Sequence, residues 1–219
     1  MNSYIKQTIR FLQDIIFTVK CPYCQKVIER NDYACKECKK KFPQVGVENY
    51  AIGGYKTIAP FKYNGIFANG VKNFKFHENP AYSRQLAVPL ANEIITKYDL
   101  SSIDIITAVP MHRENKQERG YNQAELLAKE CAEILNIPYT VVIEKHKLNK
   151  AQHTLKGKER ENNVQGVYRV VDKQIIANKN ILIIDDIITT GNTLGECCKV
   201  LKKSGCQSVC CATLCAAVV

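Results

Sequence analysis

Thirteen residues, Ile181-Leu182-Ile183-Ile184-Asp185-Asp186-Ile187-Ile188-Thr189-Thr190-Gly191-Asn192-Thr193, constrain this chain more than any others. Ile181, Leu182, Ile183 and Ile184 form an unbroken aliphatic run, which suits a central strand of a parallel sheet covered on both faces. Asp185 and Asp186 follow at its carboxyl end, where open α/β sheets place ligands. Thr189, Thr190, Gly191, Asn192 and Thr193 then offer hydroxyls, a permissive glycine and backbone N–H groups, just before the apolar spacing Leu194, Cys197, Cys198, Leu201 announces a helix. Orphan N–H groups and the positive end of the helix dipole converge at such a loop, so it can hold a phosphate. Two carboxylates beside it suit the hydroxyls of a sugar carrying that phosphate, because each accepts charge-assisted hydrogen bonds. An ordinary strand, turn and helix capped by Thr193 would use the same loop without needing the aspartates.

The segment resembles the 5-phosphoribosyl diphosphate (PRPP) signature of type I phosphoribosyltransferases, a hydrophobic strand, two acidic residues and a Thr-Thr-Gly-x-Thr loop. Neither a Walker A loop nor a Gly-x-Gly-x-x-Gly fingerprint occurs anywhere in the chain.

A second pattern lies near the N-terminus. Cys21-Pro22-Tyr23-Cys24 and Cys35-Lys36-Glu37-Cys38 are two Cys-x-x-Cys knuckles close in sequence, the spacing of a four-thiolate zinc site. A closed four-cysteine site leaves no open position for catalysis, so its expected role is structural Zn²⁺ stabilising a segment too short to build a core. A redox pair is the competing reading. Six of the 11 cysteines, Cys197, Cys198, Cys206, Cys210, Cys211 and Cys215, fall in an apolar C-terminal helix and strand and read as small buried hydrophobes in a reducing compartment.

At 219 residues with 46% hydrophobic content, the expectation is one α/β domain, residues 51–219, behind an N-terminal helix and zinc module, residues 1–50. Ile5, Ile9, Leu12 and Ile16 mark one face of that helix. No run approaches the ~20 apolar residues of a membrane span, and Lys6, Arg10 and Asp14 interrupt the N-terminus unlike a secretory signal, so a cytoplasmic chain is expected. Strands are expected over residues 56–63, 103–109, 139–143, 181–184 and 208–218, and helices over 83–97, 122–135 and 193–204.

The net charge of +10 favours anionic partners, phosphorylated small molecules or nucleic acid. Lys145, Lys147, Lys150, Lys156, Lys158 and Arg160 crowd one segment that also holds His146 and His153. A solvated basic loop, a loop closing over a diphosphate and a track for a nucleic-acid backbone would all use these residues. Tyr23, Tyr33 and Phe42 around the knuckles either stack on bases or pack beneath the module.

The strand over 103–109 ends at Val109-Pro110-Met111-His112-Arg113, followed by Lys116 and Arg119-Gly120-Tyr121-Asn122-Gln123. Asn122, at a helix start, can cap it or bind an anion. With these residues the chain resembles the ComF family, whose members join a four-cysteine zinc module to a type I phosphoribosyltransferase-like domain. The family's Val-Pro and Arg-Gly-Phe/Tyr-Asn-Gln stand here at Val109-Pro110 and at 119–123. Its later Gln and Arg-x-x-Asn-Val stand at Gln152 and at Arg160-Glu161-Asn162-Asn163-Val164. One turn departs, since Lys147-Leu148-Asn149 replaces the family's Arg-x-Thr, and no role is carried over to it.

The resemblance implies binding of PRPP with Mg²⁺. Residues 189–193 would hold the 5-phosphate, Asp185 and Asp186 the ribose hydroxyls, and Pro110, Met111, His112 and Arg113, with Arg119, the diphosphate. Asp185, Asp186 and Arg119 are the candidates for any catalysis, which would make the protein a pentosyltransferase. Transferases for 6-oxopurines carry an aspartate three residues after the acidic pair; Thr189 stands there, which argues against hypoxanthine or guanine as acceptor. The resemblance also implies a role in DNA uptake during natural competence, among DNA-uptake proteins. Two functions stay open, phosphoribosyl transfer to an unidentified acceptor and a non-catalytic, single-stranded-DNA-binding accessory role with PRPP as ligand or sensor.

Overall fold

A computed structural model describes residues 18–51, 53–76, 80–147 and 166–217. Its main sheet is built around β7 (Asn180–Ile188), where Ile181, Leu182, Ile183 and Ile184 are all buried, as strands sandwiched between helices must be. On one side β4 (Ile105–Ala108) runs parallel to it, Ile105 opposite Ile181 and Ala108 opposite Ile184. On the other, β8 (Ser208–Ala216) runs parallel along its whole length. The order is β1-β2-β8-β7-β4, with β1 (Val47–Ala51) antiparallel to β2 (Tyr55–Ala59) at the far edge. The fold is therefore the α/β parallel sheet that the sequence predicts.

The expected strand over 56–63 divides at Pro60 into β2 and β3 (Phe61–Lys62), because proline has no N–H for the ladder. Both pieces pair with β8 in one register, Thr57 opposite Cys211 and Phe61 opposite Cys215. The expected strand over 139–143 is reduced to one bridge, Tyr139 with Ile106, where Pro138 O accepts from Ile106 N at 2.9 Å. The chain then enters a separate two-stranded sheet of β5 (Ile143–Lys145) and β6 (Tyr168–Val170).

The helices expected at 83–97, 122–135 and 193–204 form α3 (Ser83–Lys97), α5 (Gln123–Leu135) and α7 (Asn192–Lys203). From the β4–β7 boundary, α5 leads outward to the bridge at Tyr139, whereas α7 leads the opposite way, to β8. Right-handed crossovers in opposite directions place their helices on opposite faces of the sheet. The boundary between β4 and β7 is thus the switch point at which such sheets bind ligands. Short helices α1 (Lys36–Lys39), α4 (Arg113–Arg119) and α6 (Lys173–Ile176) complete the described set together with α2 (Gly65–Phe76), which the sequence reading did not foresee. Its Gly65, Asn69, Gly70 and Asn73 have low helix propensity, but Val71 and Phe74 are buried on its inner face.

The cysteine module shares its core with the sheet. Tyr23, from the first knuckle, packs edge-on against Phe42, Phe61 and Phe67 with ring centroids 5.3, 6.0 and 5.9 Å away, and Phe61 stacks on Phe67 at 4.1 Å. Gln85 of α3 donates to the carbonyls of Lys20 and Asp32, fastening the module from another side. Cys197, Cys198, Cys206, Cys211 and Cys215 are buried and Cys210 half-buried, all as free thiols, matching the reading of small hydrophobes. No helix among the described residues is long and apolar enough to cross a membrane. The expected N-terminal helix and Lys150 to Arg160 of the basic segment lie outside the described residues.

Candidate functional site at the sheet switch point

The site begins where two strands part. Val109 N–H donates to Ile184 O at 2.9 Å as the last contact between the β4 and β7 ladders, and Pro110 then carries its chain away. Strand β7 continues against β8 alone, with Asp185 opposite Thr213 and Ile187 opposite Cys215. The two carboxylates therefore sit inside the strand, which runs four residues past its aliphatic run, with their β4 side opened into a cleft.

Asp185 Oδ1 accepts the backbone N–H of Asp186 at 2.8 Å, which fixes its orientation. Burial, then the neighbouring Asp186 carboxylate, push the Asp185 carboxyl well above the usual range; the Asp186 N–H and the Lys75 ammonium only partly offset this. Lys75 Nζ lies 3.4 Å from Asp186 Oδ2. Thr189 and Thr190 are exposed, and Gly191 turns at φ +74° into α7, a left-handed conformation that glycine adopts without strain. Gly191, not Thr193, is the N-cap, and no side-chain cap bond to this helix start is found among the described residues. Thr193 instead hydrogen-bonds the Tyr168 hydroxyl from β6. Asn192 is buried with its Oδ1 lacking a partner among the described residues. Together Lys75, Asp185, Asp186 and the loop as far as Leu194 line a cavity of about 190 Å³. It combines paired acceptors, a lysine and uncapped helix N–H groups, the donor set for a sugar phosphate.

A second cavity of about 280 Å³ adjoins the loop after β4 and is lined by Pro110, Met111, Arg113, Lys116, Tyr139 and Lys145, among others. His112 is not in its wall; its Nδ1 accepts Glu114 N–H and caps α4. Arg119 lines neither cavity and donates to Gln123 Oε1 at 3.2 Å. Asn122 caps α5, since its Oδ1 accepts from Ala124 N, while its Nδ2 donates to Val109 O. Of the basic segment, Lys145 is half-buried, and burial lowers its pKa, while Lys147 is exposed. Lys150, Lys156, Lys158 and Arg160, with Gln152 and the residues 161–164, lie outside the described residues.

At the cysteine module, the sulfurs of Cys21, Cys24, Cys35 and Cys38 all lie within 4.8 Å of one another. Tetrahedral zinc with Zn–S bonds of about 2.3 Å needs sulfurs about 3.8 Å apart, so this cluster can close on such an ion with small adjustments. Burial raises the Cys35 thiol, but the Cys38 N–H and the neighbouring thiols outweigh it and bring it down to about 7. Tyr23 is 2% exposed, which removes it from the set of base-stacking platforms, and the half-buried Phe42 packs in the same aromatic cluster.

Lys75 and Tyr168 are the site residues that sequence reasoning missed. The spacing Ile66, Phe67, Val71, Phe74 carried a signal for α2, but nothing local placed Lys75 beside a carboxylate 111 positions away.

Residues 122–218 match the phosphoribosyl transferase domain family, a span that includes the acidic pair and its loop but neither the cysteine module nor the loop after β4. The chain is 28% identical over 194 residues to Competence protein F of Haemophilus influenzae, covering 86% of this chain and 81% of that protein. It is 23% identical to DNA utilization protein YhgH of Escherichia coli, covering 86% and 80%, and 26% identical to Competence protein ComFC of Streptococcus pneumoniae, covering 86% and 77%.

Two outcomes are expected. Purified protein carries about one zinc per chain, and Cys21→Ser with Cys35→Ser removes it; metal analysis showing zinc unchanged in the double variant would refute the assignment. For Asp185, a raised folded pKa means that the stability of the protonated state is complete below the ordinary aspartate pKa of about 3.9 and is lost as pH rises through the folded value. An asparagine amide at this position cannot ionise and can still accept the Asp186 N–H. Asp185→Asn should therefore melt above wild type at about pH 8, with the gap closing toward about pH 4.5. A pH-independent gap, or a less stable variant at the higher pH, contradicts the placement of this carboxyl.

Proposed function

We propose that this chain, which belongs to the ComF family, binds PRPP with Mg²⁺ at the β4–β7 switch point and serves in DNA uptake. The observation that carries the ligand reading is the cavity of about 190 Å³ in which two adjacent carboxylates face an uncapped helix start. The N–H groups and hydroxyls of residues 189–193 take the 5-phosphate, because the helix dipole and uncapped donors point there. Asp185 and Asp186 accept from the ribose hydroxyls. Arg113 and Lys116, in the wall of the second cavity, supply positive charge for the diphosphate. Mg²⁺ would be held by oxygen donors, Asp185, Asp186 and the ligand's own phosphates, and when bound it neutralises diphosphate charge.

The reaction open to this arrangement is attack of a nucleophile on the anomeric carbon as diphosphate departs, with the aspartates steadying positive charge that builds on the ribose and the cations taking the leaving charge. Thr189 at the third position after the pair disfavours a 6-oxopurine as nucleophile. Diphosphate release, measured with and without single-stranded DNA, separates a transferase from a protein that holds PRPP as a ligand. Binding itself has a sharper test. Asp185→Asn with Asp186→Asn keeps shape and removes the charge that receives the hydroxyls. At about 1.5–3 kcal/mol for each hydrogen bond to a charged group, PRPP affinity should fall roughly a hundredfold or more. Thr190→Val should weaken it less. Wild-type affinity in a double variant with a normal melting transition would make the pair structural and sink this reading.

The DNA part draws on what the relatives are called, competence and DNA utilization proteins, and on the net charge of +10. A cytoplasmic place among DNA-uptake proteins belongs to the same proposal. With Tyr23 buried in the core and Phe42 half-buried against it, contact with single-stranded DNA runs through charge more than through stacking. Affinity should then fall steeply as salt rises, and replacing Lys150, Lys156 and Lys158 with Gln should weaken binding alike for all sequences and flatten the salt slope. Absence of binding at low salt removes DNA as a direct partner and leaves the PRPP reading standing.

A further inference from the structure

Helix α2 connects the cysteine module to the acidic pair. Its Asn73 Nδ2 donates to Pro22 O, inside the first knuckle, at 2.8 Å. At Gly70 the approach is so close that a Cβ would lie 2.8 Å from the Tyr23 ring. One residue past Asn73, Phe74 is fully buried, and its carbonyl accepts the Tyr121 hydroxyl from the loop between α4 and α5. These anchors hold the last turn of α2 against both the module and the chain after β4. Lys75 extends from that turn into the cavity, with its side chain 29% exposed.

Its ion pair with Asp186 is loose, since 3.4 Å exceeds the 2.7–2.9 Å usual for a charge-assisted bond. An ammonium has three donors, so the pair leaves capacity for another acceptor. Lys75 stands by the acidic pair, and in a ribose 5-phosphate the anomeric carbon is bonded to the carbon bearing the 2-hydroxyl, on the side of the ring away from the phosphate. A sugar phosphate seated with its phosphate on residues 189–193 and its hydroxyls on the aspartates would therefore turn the far end of its ring toward the lysine.

We propose that Lys75 is a ligand-contacting cation that makes the site prefer a sugar phosphate bearing a second anionic group at its anomeric carbon over the simple monophosphate. This rests on the phosphoribosyl reading above and adds the residue that would set its selectivity. The competing role is purely electrostatic, a counter-ion that conditions Asp186 and touches no ligand.

Calorimetric titration with PRPP and with ribose 5-phosphate, both with Mg²⁺, tells these apart in wild type, Lys75→Met and Lys75→Arg, after melting curves confirm that each is folded. Loss of one hydrogen bond from a charged group should weaken PRPP binding to Lys75→Met by about tenfold or more, leave ribose 5-phosphate within about twofold, and be partly restored in Lys75→Arg. Equal weakening for both ligands would reduce Lys75 to a counter-ion and overturn the proposal, as would PRPP affinity unchanged in Lys75→Met. If wild type binds ribose 5-phosphate but PRPP no better, selectivity fails while the sugar-phosphate site survives. If it binds neither, the phosphoribosyl reading fails and takes the proposal with it.

Discussion

The hydrogen bond from Val109 N to Ile184 O is the point on which the site depends. Up to it, β4 and β7 form a ladder buried on both faces, and polar side chains there would be costly. Beyond it Pro110 diverts one chain while β8 continues to hold the other. Asp185 and Asp186 are thus placed on rigid backbone at a sheet interior, yet face a cleft. A loop could supply the same groups, but not with this positional precision. The cost is visible at Asp185, whose carboxyl is pushed well up by burial and by its neighbour. Such a destabilised group persists where a ligand supplies the missing partners.

A second constraint comes from the module. Its four sulfurs gather into one cluster, but its aromatic side chains are taken up by the sheet, with Tyr23, Phe42, Phe61 and Phe67 forming one aromatic cluster of edge-on and stacked pairs. Aromatic pairs of this kind contribute about 0.5–1.5 kcal/mol beyond the area they bury. A metal at the knuckles therefore has consequences past the module, because Pro22 and Tyr23 are also where α2 is fastened.

What was legible in the sequence was local. An aliphatic run, two acids and a glycine before a helix can be read from thirteen consecutive residues, and the structure keeps the acids and the loop in one cavity wall. The knuckles were legible for the same reason, since spacing alone predicts that four thiols converge. Pro60 interrupts a strand without breaking its register, a distinction that hydrophobic pattern does not carry. Asn122 offered two roles; the structure shows the cap, and the bond from its Nδ2 to Val109 O was not visible in the sequence. Tyr23 likewise had two readings, and burial against a strand and helix that follow it in the chain settles it as core. Lys75 was hidden twice, first by the poor helix formers around it and then by the length of chain separating it from Asp186.

The most direct measurement is a crystal structure of the protein soaked with PRPP and Mg²⁺. The 5-phosphate is expected within hydrogen-bond distance of the backbone N–H groups of residues 190–193, with the ribose hydroxyls on the carboxylates of Asp185 and Asp186. A phosphate bound elsewhere, or ribose hydroxyls facing away from both aspartates, would contradict this placement.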